Sequence, residues 1–190
     1  ISRRIAAGIG IACDRFAFAQ RWDGSAVPFD DMKQMTAKCF GEYDGIIFIC
    51  ACGIAVRMIA PHVVSKLSDP AVVVIDESGK FAISLLSGHI GKANALTEKI
   101  AEIIGAEPVI TTATDVGGKF SPDSFAAAND LYICEYDIAK EIAAETANGG
   151  KVGFYSDTGC LNTPPFCDNK RLGICISSDA AKMPFEHTLH

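Results

Sequence analysis

The chain has 190 residues (20.1 kDa), 49% of them hydrophobic and 21% charged, with a mean hydropathy of +0.23. That composition suits one or two globular domains with a sizeable core and strands buried on both faces, and it excludes a disordered tail or a collagen. The net charge of -6 and the lack of a basic stripe argue against nucleic acid as the main partner, although a local basic pocket can still hold a small anion.

In chain order, the first residues run from Ile1-Ser2-Arg3-Arg4 straight into Ile5-Ala6-Ala7-Gly8, which reads as an abbreviated first strand. There is no initial Met and no signal-type apolar region, so the chain is expected to begin slightly inside its native start. Gly45 to Cys50 (GIIFIC) is an apolar run, as in a buried strand, and Gly53 to Ala60 follows as a short helix stopped by Pro61. Ala71 to Ile75 and Phe81 to Leu86 are two strands, and Asp76 to Lys80 between them predicts an antiparallel hairpin. Lys92 to Ile104 carries Ala93, Leu96, Ile100, Ile103 and Ile104 on one stripe, with Gly105 placed to end the helix.

Pro108 to Thr111 predicts the next strand. Ser-Pro-Asp opens a helix at Ser121, and Ile138 to Ala147 is another, ended by Asn148-Gly149-Gly150. Lys151 to Tyr155 and Leu172 to Ser177 predict two more strands, while Ser178 to His190 shows no core pattern and reads as a polar tail. The fold class expected is α/β, a three-layer sandwich with a mostly parallel, mixed sheet. A boundary is expected near Ala147 to Lys151, dividing residues 1–147 from 148–190.

Neither long apolar run, Gly45 to Val56 or Phe81 to Gly91, approaches the roughly 20 residues of a membrane-spanning helix. The eight cysteines form no CxxC pairs and read as reduced thiols of a cytoplasmic protein. Cys50 and Cys52 are one close pair, and two ligands permit a metal or redox role without requiring it.

Ligands of α/β sheets bind beyond strand carboxyl ends, where loops enter helices. Three junctions qualify. At the first, Gly53 lets the backbone turn closely, and Arg57 either grips a carboxylate or phosphate or closes a surface ion pair. The second is Ser87-Gly88-His89-Ile90-Gly91-Lys92-Ala93-Asn94. Backbone N–H groups there suit an anion or oxyanion. His89 serves as general acid or base, or merely caps the loop, while Lys92 adds a cation and Asn94 an amide. The third, Thr111-Thr112-Ala113-Thr114-Asp115, either orients a polar ligand or satisfies its own turn. Lys66 and Asp69 flank a further loop before a strand, and LLSGH lacks the Gly-x-Ser-x-Gly elbow of serine hydrolases.

Taken together, the set resembles a known family. GIAVR (53–57), Ser65-Lys66, DPAVVVIDE (69–77), SLLSGH (84–89) and TTATD (111–115) stand in the order and spacing of the N-terminal region of the CbiG family of cobalamin biosynthesis. KVGFYSD (151–157), LGICISSD (172–179) and Pro184-Phe185 resemble that family's middle region. The family commonly has Gly-Gly-Ala-Asn where this chain has Gly91-Lys92-Ala93-Asn94, and its C-terminal domain has no counterpart here.

The resemblance implies cobalt-precorrin-5A hydrolase activity: opening the δ-lactone of a cobalt-containing tetrapyrrole and releasing acetaldehyde, to give cobalt-precorrin-5B. It implies no resident cofactor or metal, since the substrate carries the cobalt. On this reading His89 or Asp115 activates water. Gly53, Arg57, Lys66, Ser87, Gly88, Gly91, Lys92, Asn94, Thr111, Thr112 and Thr114 bind the anionic macrocycle. Expected partners are a C-terminal domain or other enzymes of the pathway. The alternatives are a non-catalytic tetrapyrrole-binding module that needs that domain, and a generic nucleotide- or flavin-binding domain.

Overall fold

The computed structural model describes residues 1–112, 120–159, 166–167, 171–179 and 181–190. They form two compact units, Ile1–Thr111 and Thr112–His190.

The first unit opens with helix α1 (Ser2–Gly8), not a strand. Its two long apolar residues, Ile5 and the following Ile9, are 2% exposed each, four residues apart on one helical face. A parallel pair follows, β1 (Phe16–Phe18) and β2 (Val27–Phe29). Helix α2 (Met32–Glu42) starts at Asp31, whose carboxylate accepts from Lys33 N–H (2.8 Å) and Gln34 N–H (3.3 Å), as an N-cap should.

The main sheet has the order β3-β4-β5-β6, formed by Gly45–Ile49, Ala71–Ile75, Phe81–Leu86 and Glu107–Val109. Helix α3 (Cys52–Ile59) links β3 to β4, and α4 (Ala93–Ile104) links β5 to β6. In β4, Val72 through Ile75 are completely buried, which explains the unbroken apolar run. Val73 and Ile75 pack with α1 and α4 through Ile5, Ile9, Ile100 and Ile104. Val72 and Val74 face the other way, onto Ala55 and Ile59 of α3, with Met32 and Phe40 of α2 alongside. Strand alternation thus serves two helical layers, and the unit is a three-layer sandwich. Within the sheet, β3–β4 and β5–β6 are parallel and the expected β4–β5 hairpin is antiparallel.

The second unit holds α5 (Pro122–Ala128), α6 (Tyr136–Ala147) and a parallel sheet β7-β8-β9 (Gly153–Ser156, Leu172–Ile176, His187–Leu189). Phe125, Ala139, Ile142, Leu172, Ile174 and Leu189 share its core. Because α6 packs into that core, the compact units divide at Thr111 and not near residue 147 as the patterning suggests. The tail read as polar includes β9, where Thr188 and Leu189 are 3% exposed. Its threonine is compatible with burial because the hydroxyl donates to Phe185 O (2.9 Å).

Candidate functional site

The loop between β5 and α4 is built tightly from its own residues. Ser87 and Lys92 bracket it in left-handed conformations, at φ +57° and +65°. The glycines are required by close approach: a Cβ on Gly88 would lie 2.8 Å from Asn94 Oδ1, and one on Gly91 would lie 2.8 Å from Ser87 O. Lys92, Ala93 and Asn94 N–H donate to His89, Ser87 and Gly88 carbonyls at 2.9, 3.1 and 3.0 Å. The first N–H groups of α4 are therefore consumed inside the loop. The expectation of an anion site at the helix N-terminus is not met by these three N–H groups. Asn94 Oδ1 accepts from Ser84 Oγ (2.7 Å), which ties the start of the helix to β5. His89 is half-buried within this loop, while Lys92 is exposed.

Ser87 Oγ donates to Asp69 O at 3.0 Å. Asp69 ends the loop that carries Lys66, and at 7% exposure it is buried. Its carboxylate accepts from Val64 N–H (3.1 and 3.2 Å) and Ser65 N–H (3.1 Å). Lys66 is exposed, and so are Val63, Val64 and Leu67 around it, Val64 to 84%.

Sheet direction decides which junctions meet. Gly45 pairs with Ala71 and Ile49 with Ile75, whereas Leu86 pairs with Val72. The carboxyl end of β5 therefore lies at the amino end of β3 and β4. Strand β6 runs parallel to β5, so Thr111 leaves the sheet at the Ser87 end. Gly53, just past Ile49, lies at the opposite end, about 15 Å away for a strand of this length. Arg57 is exposed and folds back on its own helix, Nη1 lying 3.4 Å from Gly53 O. Of the three expected junctions, the second and the first residue of the third, Thr111, lie at one end of the main sheet and the first lies at the other, because the hairpin reverses the sheet. The structure thus gathers Lys66, Ser87, Gly88, His89, Gly91, Lys92, Asn94 and Thr111, and separates Gly53 from them. Thr112 begins the second unit, and Thr114 and Asp115 lie outside the described residues.

Burial pushes the Cys50 thiol up, as it does Cys39 and Cys175. Among the described residues no group of three or more His, Cys, Asp or Glu is placed to hold a metal, and no helix is long and apolar enough to cross a membrane.

Residues 34–115, which contain all of these loops, match the family model described as Cobalamin synthesis G N-terminal. Over these residues the chain belongs to the cobalamin synthesis G family. Its likeness extends well beyond the matched segment. The chain is 50% identical over 186 residues, 97% of its length, to the cobalt-precorrin-5A hydrolase of Salmonella typhimurium. It is 49% identical over 128 residues, 67% of its length, to the enzyme of that name from Priestia megaterium. These alignments cover 52% and 34% of those two proteins, so the chain spans about half the length of the Salmonella relative. A crystal structure described as a cobalamin biosynthesis protein G homolog from Sulfolobus solfataricus shares the fold at a TM-score of 0.53 and 24% identity, covering 86% of this chain and 49% of that one. Lys92, where the resemblance leads to an expectation of glycine, holds the left-handed backbone that glycine favours.

The contribution of Asp69 escapes sequence reading. A carboxylate before a proline and a strand looks solvated, and only the fold of 63–65 over it shows otherwise.

Proposed function

We propose that this chain supplies the N-terminal part of a cobalt-precorrin-5A hydrolase. The observation that carries the reading is half-identity to the Salmonella enzyme over 97% of the chain. The chemistry of the site supports it. Lys66 and Lys92 offer cations to a polycarboxylate on a protein of net charge -6, and the apolar side chains flanking Lys66 suit the face of a macrocycle.

In the proposed reaction His89 takes a proton from water as the water adds to the lactone carbonyl. N–H groups within the Gly88–Gly91 turn steady the oxyanion. The acyl–oxygen bond breaks, leaving a carboxylate and an alcohol. That alcohol gives up its proton as the adjacent carbon–carbon bond breaks, so the two-carbon fragment leaves as acetaldehyde and the bonding pair stays on the macrocycle. Asp115 is the second candidate for the base. Cobalt enters and leaves with the tetrapyrrole, and no resident cofactor is assigned. Arg57 and Gly53 are withdrawn from the proposed substrate contacts, while Thr111, Thr112 and Thr114 remain candidates.

The test is anaerobic incubation with cobalt-precorrin-5A, following acetaldehyde. Release above a protein-free control is expected, and His89→Ala is expected to lower it at least about a hundredfold, the scale of general acid–base catalysis. A His89→Ala protein with unchanged turnover would remove His89 from the reaction. Binding of the tetrapyrrole without acetaldehyde would assign the chemistry to the part of the relatives that this chain does not span, and this region would be a binding module.

A further inference from the structure

The Lys66 loop and the His89 loop are distant in sequence, yet one chain of hydrogen bonds joins them. Val64 and Ser65 N–H donate to the Asp69 carboxylate, and the carbonyl of the same residue accepts from Ser87 Oγ at 3.0 Å. Asp69 is therefore bonded on both sides. Its side chain organises the loop before it, and its backbone holds the residue that opens the glycine turn.

Two further facts give the arrangement a purpose beyond closing a turn. A buried carboxylate is costly unless its acceptor sites are filled, and here they are filled by backbone N–H groups of the Lys66 loop. Ser87 sits at φ +57°, a conformation that a non-glycine residue keeps only when its surroundings hold it there. The hydroxyl bond to Asp69 O is such a restraint, and glycine, which would relax the backbone, has no hydroxyl to make it. Asp69 N–H and Ser68 N–H also donate to Ser65 O (2.8 and 3.1 Å), so the segment 64–69 is closed on itself and moves with Asp69.

We propose that Asp69 is a positioning residue: through its buried carboxylate and its bond from Ser87 it fixes the loop bearing Lys66 against the loop bearing His89. Its effect on turnover rests on the hydrolase reading above, whereas the mechanical coupling does not. Asp69→Asn keeps the size but leaves one carbonyl oxygen where two carboxylate oxygens accepted. Ser87→Gly keeps the backbone conformation and deletes the hydroxyl.

Amide hydrogen exchange of the unliganded chain reads the coupling directly. In Asp69→Asn, amides in 87–94 are expected to exchange about tenfold faster although no residue there has changed, and Ser87→Gly is expected to do the same for 64–69. Val73 and Ile100 in the core stay as protected as in the wild type. With cobalt-precorrin-5A, kcat per folded molecule is expected to fall about tenfold in each variant, and the double variant to be no more than about twofold worse than the worse single one, since both break one linkage.

Unchanged protection of 87–94 in Asp69→Asn would overturn the proposal, and so would losses in kcat that multiply in the double variant. If the wild-type chain neither binds the macrocycle nor releases acetaldehyde, the hydrolase reading fails, and the exchange experiment alone decides the coupling.

Discussion

Lys92 carries its side chain on a left-handed backbone at φ +65°. Such a conformation costs a side-chain-bearing residue roughly 1 kcal/mol. Lys92→Gly is therefore expected to raise stability to urea by about 1 kcal/mol while weakening binding of an anionic macrocycle. A lower urea midpoint would show that the lysine side chain contributes more than the strain removes. His89 and its flanking glycines were legible because glycine marks close approach, and Gly88 and Gly91 both have atoms where a Cβ would go. The use of the N–H groups of Ala93 and Asn94 was not legible. A helix start looks free in sequence, and only the folded loop shows its own carbonyls occupying those donors.

Long patterned elements read well. Helix α4 has its stripe and its left-handed Gly105 (φ +71°), and β4 has its fully buried run. Short elements do not. Helix α1 spans seven residues and β9 three, too few for either period to stand out. Helix α2 hides because its buried positions are Thr36 and Cys39, which carry little apolar signal. Strand β9 nevertheless matters to its unit, since Leu189 lies in the core with Ile142 and Leu172. Leu189→Ala is expected to destabilise the second unit by about 2 kcal/mol, the lower end for a buried leucine. Exchange at Ile174 and Ile176 should quicken while Val73 in the first unit stays protected. Equal loosening of both units would show that they do not unfold separately.

At the scale of the whole molecule, patterning finds elements but not which core a helix joins. That is why α6 was read with the first part and packs in the second. It also misses sheet polarity: the hairpin was expected, but its consequence for Gly53 appears only once the registers are known. The same hairpin has a kinetic meaning. It is the one neighbouring pair in the main sheet joined by a tight turn, since α3 and α4 intervene in the others. Closing a short loop sacrifices the least chain entropy, so β4 and β5 are placed to meet before β3 and β6 add to them. Val74→Ala is then expected to act mainly on the folding rate of this unit, and Phe48→Ala in β3 mainly on its unfolding rate, in stopped-flow denaturant jumps. The reverse partition would place nucleation at a crossover. The reversal that divides the sheet into two chemically different ends would thus also be where the sheet begins to assemble.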